Sequence, residues 1–334
     1  MSAAVTVEPV APPLLRVANL HKHFPVHGGL LGWTTGWVNA VAGVTFRIDQ
    51  GRTLGLVGES GCGKSTLGRT IVRLYEPTAG DIILEGERMT EMSRRRWRKR
   101  RRDVQMIFQD AHASLDPRFT IERTLREPLD VHGLGARAER ADRVRTLLDV
   151  VALPADLLER YPHELSGGQR QRVGIARAIA LEPKLIVADE PVSSLDVSVR
   201  AQVLDLLSSL QRERGIAFQF ISHDLAVVQH VCHDVAVMYL GKIVEQASVD
   251  ALYAAPRHPY TQALLSAVPT IDAVSRPQRT LLRGDVPSPI APPPGCPFHP
   301  RCPQAMPICS RVFPQEKDVG TPDAPHRVAC HLYT

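Results

Sequence analysis

The chain has 334 residues, 44% of them hydrophobic and 22% charged. That make-up suits one large globular domain with an appendage, or two modest domains, and excludes disorder on the scale of a domain. Net charge is +5, with 40 basic against 35 acidic side chains, and no uninterrupted apolar run approaches the ~18–20 residues that span a bilayer, so any membrane role must be exercised through partners.

Residues 1–15 carry no basic segment ahead of their apolar residues, which argues against a secretory signal and for a cytosolic chain. The first strand candidate is Thr53–Val57, a short apolar run of the kind buried on both faces of a mainly parallel sheet. It runs directly into Gly58-Glu59-Ser60-Gly61-Cys62-Gly63-Lys64-Ser65-Thr66, a complete G-x-x-x-x-G-K-[ST] phosphate-binding loop, and a helical pattern begins at Thr66. Strand, glycine-rich turn and helix are the context the chemistry requires. The glycines let backbone N–H groups wrap phosphates, and the helix N-terminus adds a favourable dipole. Lys64 is then placed for the β- and γ-phosphates of ATP and Ser65 for Mg2+. Cys62, close to a helix N-terminus, is expected to have a lowered thiol pKa and to be protected from alkylation by ATP.

A basic run, Arg94-Arg95-Arg96-Trp97-Arg98-Lys99-Arg100-Arg101-Arg102, follows. It has the composition of a nucleic-acid patch, but no recognition module accompanies it, so a solvated helical face, near anionic lipid head groups at most, is the better reading. From Gln109 to Leu165 the pattern changes: Leu125, Leu129, Val144, Leu147, Leu148, Val151 and Leu158 take amphipathic helical spacing, a helical insertion within an α/β domain. Apolar runs at 185–188 and 217–221 predict two further buried strands. The first ends in Asp189-Glu190, two adjacent carboxylates that are costly unless they meet cations or water. Asp189 suits Mg2+ coordination, and Glu190, one residue on, suits polarising an attacking water.

Beyond about residue 283 the composition shifts again. Twelve of the 27 prolines and four of the six cysteines lie in residues 285–334. So little apolar periodicity cannot build a core, and the tail needs a staple. Cys296, Cys302, Cys309 and Cys330 are spaced C-x5-C-x6-C-x20-C. A cytosolic location argues against two structural disulfides and for a metal staple. The spacing is looser than a zinc ribbon's and departs from ferredoxin spacings, which by itself favours zinc slightly, with His299, His326 or His331 as alternative ligands. Cys232 reads as a core cysteine.

Leu165-Ser166-Gly167-Gly168-Gln169 resembles the signature of ABC transporter ATPases, twenty residues ahead of Asp189. Other positions in the expected order strengthen the likeness: Gln109 resembles the Q-loop glutamine, Ser194-Leu195-Asp196 the D-loop, His223 the switch histidine and Phe24 the aromatic that stacks on adenine. The resemblance implies an α/β P-loop NTPase (RecA-like) fold: an ABC nucleotide-binding domain at 14–250, a helical subdomain near 110–165, and a Cys-rich C-terminal extension at 251–334. It further implies that two subunits sandwich two ATP molecules head to tail. Phe24, Gly58, Ser60, Gly61, Cys62, Gly63, Lys64, Ser65, Thr66 and Asp189 of one chain, with Gln109 and Ser65 also on Mg2+, would face Ser166, Gly167, Gly168 and Gln169 of the other. Glu190, His223 and Gln109 would be catalytic.

Ser114-Leu115-Asp116-Pro117-Arg118, the run from Arg257 to Leu265 and Pro294-Gly295-Cys296 resemble the dipeptide and oligopeptide importers of that family. That branch implies a second ATPase subunit of paralogous sequence, two transmembrane permeases, an extracytoplasmic substrate-binding protein and no nucleic acid. It places the chain peripherally on the cytoplasmic face of the cell (inner) membrane. It also implies a [4Fe–4S] cluster on the four tail cysteines, with zinc as the alternative. Nickel and glutathione importers share the branch, and a soluble ABC ATPase of ribosomes or DNA is the rival from another class. Against that rival stand the lack of tandem ATPase domains and of a long coiled-coil insertion. Against a non-catalytic regulatory subunit stand the intact Glu190 and signature.

Overall fold

All five residues of Thr53–Val57 are buried, so this strand has no solvent face and must be covered on both sides. The computed structural model describes residues 12–28, 33–268, 282, 284–322 and 324–334; most of the N-terminal stretch read for a signal, and Arg283 at the composition shift, lie outside the described residues. In chain order the first half holds β1 (Leu15–Gly28), β2 (Trp33–Ile48), β3 (Thr53–Val57), α1 (Lys64–Ile71), β4 (Ala79–Leu84), β5 (Glu87–Arg88), α2 (Arg94–Arg100), β6 (Val104–Ile107) and α3 (Ala111–Ser114). Then come α4 (Ile121–His132), α5 (Arg137–Val150), α6 (Gly167–Ile179), β7 (Leu185–Asp189), α7 (Val197–Arg214), β8 (Ala217–Ser222) and α8 (Leu225–Val231). The chain closes with β9 (Asp234–Tyr239), β10 (Lys242–Ser248), α9 (Val249–Ala254), α10 (Pro259–Ser266), β11 (Lys317–Asp318) and β12 (Arg327–Val328).

Two sheets organise these elements. One is antiparallel, in the order β2-β1-β4-β5; the other runs β11-β12-β10-β9-β3-β8-β7-β6. Strands β9, β3, β8, β7 and β6 pair in parallel throughout, as the continuous apolar runs predicted. The long β1–β2 ladder pairs Phe24 with Val38 and Pro25 with Trp37. It extends the antiparallel sheet into a hairpin, with Trp33 and Trp37 left exposed.

The helical insertion is present as α3, α4 and α5 and the 3-10 turns that follow. Leu125, Leu129, Val144, Leu147, Leu148 and Val151 are buried in it, and Leu158 packs at its edge. The basic run forms α2 and the turn after it. Trp97 is buried under the Arg73 guanidinium, while Arg100 pairs with Glu85, Glu87 and Asp103 and Arg96 with Glu87. Part of the run thus finds its counter-charges on the neighbouring β4–β5 hairpin and on Asp103.

Beyond α10 the C-terminal extension builds no core of its own. Instead β12 pairs with β10 through Glu245 and Gln246, and Phe298, fully buried, lies edge-on to Tyr239 and against Tyr260 and His258. Cys296 and Cys309 join the same apolar cluster as β7, β8 and the helical insertion. Much of the expected stapling is therefore done by the α/β domain itself. Buried Glu245 anchors it, accepting hydrogen bonds from the backbone N–H groups of Arg257 and His258 at 2.7 and 2.9 Å and meeting His326 Nε2 at 2.6 Å.

Candidate active site

The loop between β3 and α1 can be built only from glycine at two places. Gly58 and Gly63 both have positive φ, and a Cβ there would lie 2.2 Å from the Met238 carbonyl oxygen and 2.0 Å from that of Ala40. The loop is thus pressed onto the middle of β2 and the end of β9, and its other side lines a cavity of about 560 Å3 with Ser60, Gly61, Cys62, Gly63, Lys64, Ser65 and Thr66. Phe24, Gln109, Glu190 and His223 line the same cavity, as do Val38, Asn39, Ala40, Leu240, Gly241 and Pro289. Every residue nominated for one chain's share of the site thus lines this cavity, or, as Gly58 and Asp189 do, hydrogen-bonds a residue that lines it. Val38–Ala40, Leu240, Gly241 and Pro289 carried no signal in the sequence, because their place depends on the middle of β2, on the β9–β10 turn and on a loop from the C-terminal extension.

The interior of the cavity is wired for cations and phosphate. Lys64 Nζ donates to the Gly58 and Glu59 carbonyls at 2.7 and 3.0 Å, a position from which a short swing reaches into the cavity. Ser65 Oγ donates to Asp189 Oδ1 at 2.8 Å. The other oxygen, Asp189 Oδ2, is buried with no hydrogen-bond partner among the described residues, its nearest cation being Arg69 at 3.7 Å. Burial pushes the Asp189 carboxyl up, against the pull of Ser65 and Arg69. A buried carboxylate with one oxygen committed to a serine hydroxyl and the other unused is a donor set that fits Mg2+, an oxygen-seeking ion.

Glu190 is the meeting point of the catalytic candidates. Its Oε2 accepts from Gln109 Nε2 at 3.0 Å and lies 3.2 Å from His223 Nδ1. Its backbone is left-handed, with φ of 47°, a costly conformation for a residue with a Cβ. Directly after β7, the residue brings its carboxylate to the cavity wall.

The signature segment lies elsewhere. Ser166 caps α6, its Oγ accepting from the Gln169 N–H at 3.3 Å while its own N–H donates to Gln169 Oε1 at 2.9 Å. None of Ser166, Gly167, Gly168 and Gln169 lines the cavity that holds Lys64. Within one chain the signature segment is therefore separate from the phosphate-loop cavity.

Cys62 differs from its expectation. It is buried, and burial pushes its thiol up rather than down, with Lys64 Nζ, 3.8 Å away, only partly opposing. The helix dipole that was to lower it is outweighed by the loss of solvent. Burial pushes the thiol of Cys232 up as well.

All six cysteines are free of disulfides. The four tail thiols share a neighbourhood: burial pushes Cys296 up to about 11, with Cys309, Cys330 and Cys302 adding to the rise. Among the described residues, however, no three His, Cys, Asp or Glu side chains are gathered tightly enough to hold a metal ion. The donors suit a metal centre in kind and number, but are not closed around one.

Comparison with known proteins gives two matches along the chain: residues 41–193 to the family described as ABC transporter, and 244–309 to the C-terminal region of oligopeptide/dipeptide transporters. The chain is 50% identical over 325 residues to the oligopeptide transport ATP-binding protein AppF of Bacillus subtilis, covering 96% of this chain and 98% of that protein. Among solved structures it is similar to the ATP-binding cassette MJ0796, a dimer in a post-hydrolysis state bound to ADP and Pi, with a TM-score of 0.64 and 28% identity over 70% of this chain and 98% of that one. It is also similar to cbiO1 from Clostridium perfringens, part of an ABC transporter complex, with a TM-score of 0.62 and 27% identity over 72% and 91% of the two chains.

Proposed function

The chain belongs to the ABC transporter family, and we propose that it is the ATP-binding and hydrolysing subunit of an importer for dipeptides or oligopeptides. The observation that carries this reading is the single cavity shared by the phosphate loop, Gln109, Glu190 and His223, with the signature segment outside it. The peptide branch rests on the C-terminal match and on the likeness to an oligopeptide transport protein.

In this reading Lys64 leaves the Gly58 and Glu59 carbonyls for the β- and γ-phosphates, and the loop N–H groups wrap them. Ser65, Asp189 and Gln109 would hold Mg2+, which would supply charge neutralisation to the bound phosphates. Glu190 orients the attacking water, and His223 holds the γ-phosphate beside it. Phe24 offers its face to adenine. A second ATPase subunit, a paralogue in this reading, contributes its signature serine and glycine N–H groups to close the site. The segment from Gln109 to Arg118 receives a permease helix, and closure of the two ATPase subunits drives two permeases fed by an extracytoplasmic binding protein. The chain then works on the cytoplasmic face of the cell membrane without entering it; among the described residues no helix is long and apolar enough to cross one.

Cys296, Cys302, Cys309 and Cys330 would hold a [4Fe–4S] cluster, or zinc, whose contribution when bound is to fasten the extension. Iron, acid-labile sulfide and zinc assays on anaerobically purified protein distinguish the two.

Glu190→Gln in the assembled complex is the test of the reading as a whole. ATP binding should persist while hydrolysis and peptide uptake stop; unchanged hydrolysis would overturn the assignment.

A further inference from the structure

The second residue of the phosphate loop, Glu59, is held at each of its polar groups. Its carboxylate takes a two-pronged pair from Arg301, Nη1 to Oε2 at 2.6 Å and Nη2 to Oε1 at 3.0 Å. Its N–H donates to the Tyr260 hydroxyl at 2.8 Å, and its carbonyl accepts from Lys64 at 3.0 Å. Two of these three holds come from the C-terminal extension, from positions more than 200 residues away in sequence.

The Arg301 side chain is 6% exposed and Glu59's 26%, and Arg301 Nε is buried without a partner among the described residues. Paying to desolvate a guanidinium in this way is weak ground for stability, since buried ion pairs often break even against apolar packing. It is strong ground for placement, because the planar fork fixes the carboxylate's orientation. Arg301 is itself fixed. It ends the turn His299–Arg301, whose N–H groups bond back to Cys296 and Phe298, and its guanidinium lies over the Tyr239 ring. There is also an electrostatic reason for a cation here. A carboxylate in a loop that wraps phosphates repels the anion it must bind, unless its charge is neutralised on the far side.

We propose that the C-terminal extension is a working part of the nucleotide site, with Arg301 and Tyr260 as positioning residues that hold Glu59 and neutralise it so that the phosphate loop accepts ATP. This rests on the reading of Lys64 and its loop as the ATP site. Lys64→Ala tests that reading independently: retained ATP binding in that variant would remove it whatever Arg301 does.

The proposal is tested by equilibrium binding of trinitrophenyl-ATP with Mg2+ to the full chain, before any turnover. Arg301→Ala should raise the Kd about tenfold, the size usual for coupled sites. The double variant Arg301→Ala/Glu59→Gln should bind more tightly than Arg301→Ala alone, because the charge that needed neutralising has gone. A merely structural role for Arg301 predicts no such rescue, since altering the loop cannot mend a damaged extension. An unchanged Kd for Arg301→Ala, or a double variant no better than the single, overturns the proposal. If Arg301→Ala does not fold, Tyr260→Phe takes its place, removing one hydroxyl from a buried ring; about threefold weaker binding is expected, the low end of what one lost hydrogen bond costs, and an unchanged Kd overturns the proposal.

Discussion

The phosphate cradle and the C-terminal extension touch at Glu59, yet they reach their structures by opposite routes. The cradle is local: strand, turn and helix lie within residues 53–71, and the glycines at 58 and 63 hold their conformation because the backbone there allows no other residue. Beyond α10 the extension has almost no local structure. Its two strands are two residues each, and it is held by contacts with β9, β10 and α10 made across long stretches of sequence. Changes in the cradle should therefore alter chemistry and spare the fold, while changes in the extension should alter the fold first.

Lys64→Ala is the largest expected effect: ATP turnover by the assembled complex should fall about 10²–10³-fold, the cost of removing one preorganised charge from a transition state, while thermal unfolding of the isolated chain changes little. Phe298→Ala reverses the pattern. Emptying a fully buried aromatic site should cost about 3–5 kcal/mol in denaturant unfolding, and an effect confined to kcat would break the contrast. Glu245→Gln leaves the packing but weakens the charged acceptor of two backbone N–H groups, for about 1–3 kcal/mol in the same assay.

The same carboxylate predicts a pH dependence. Burial pushes Glu245 up, but His326 and the N–H groups of Arg257 and His258 outweigh it and hold the carboxyl below its ordinary value. A group depressed in the folded state stabilises it above the unfolded pKa, about 4.3 for glutamate, and that stability is lost as pH falls through the folded value. Melting temperatures of wild type and Glu245→Gln should therefore differ at neutral pH and converge in acid. Arg96→Ala, an exposed partner of Glu87, should shift melting least of all.

Legibility followed the same division. Thr53–Val57 was readable to the residue, because a run without polar positions can only be a doubly covered strand. The adjacent carboxylates Asp189 and Glu190 were readable as chemistry, because their cost demands a cation or water. The convergence of Gln109 and His223 on Glu190 needed the family pattern, since nothing in a lone glutamine or histidine announces its neighbours. The Cys62 thiol was misjudged because proximity to a helix N-terminus is visible in sequence and burial is not. Pro289 on the cavity wall and Arg301 on Glu59 had no signature at all: both are consequences of where the extension folds back.

That fold-back also sets an order in time. Arg301 follows Glu59 by 242 positions, so at ~5–20 residues per second the ribosome delivers it on the order of 10–50 s after the loop it holds. A nascent chain can therefore assemble its strands and phosphate loop early while the hold on Glu59 is still unmade. On this proposal full affinity for nucleotide arrives only once the turn carrying Arg301 has been made and has folded back onto Glu59.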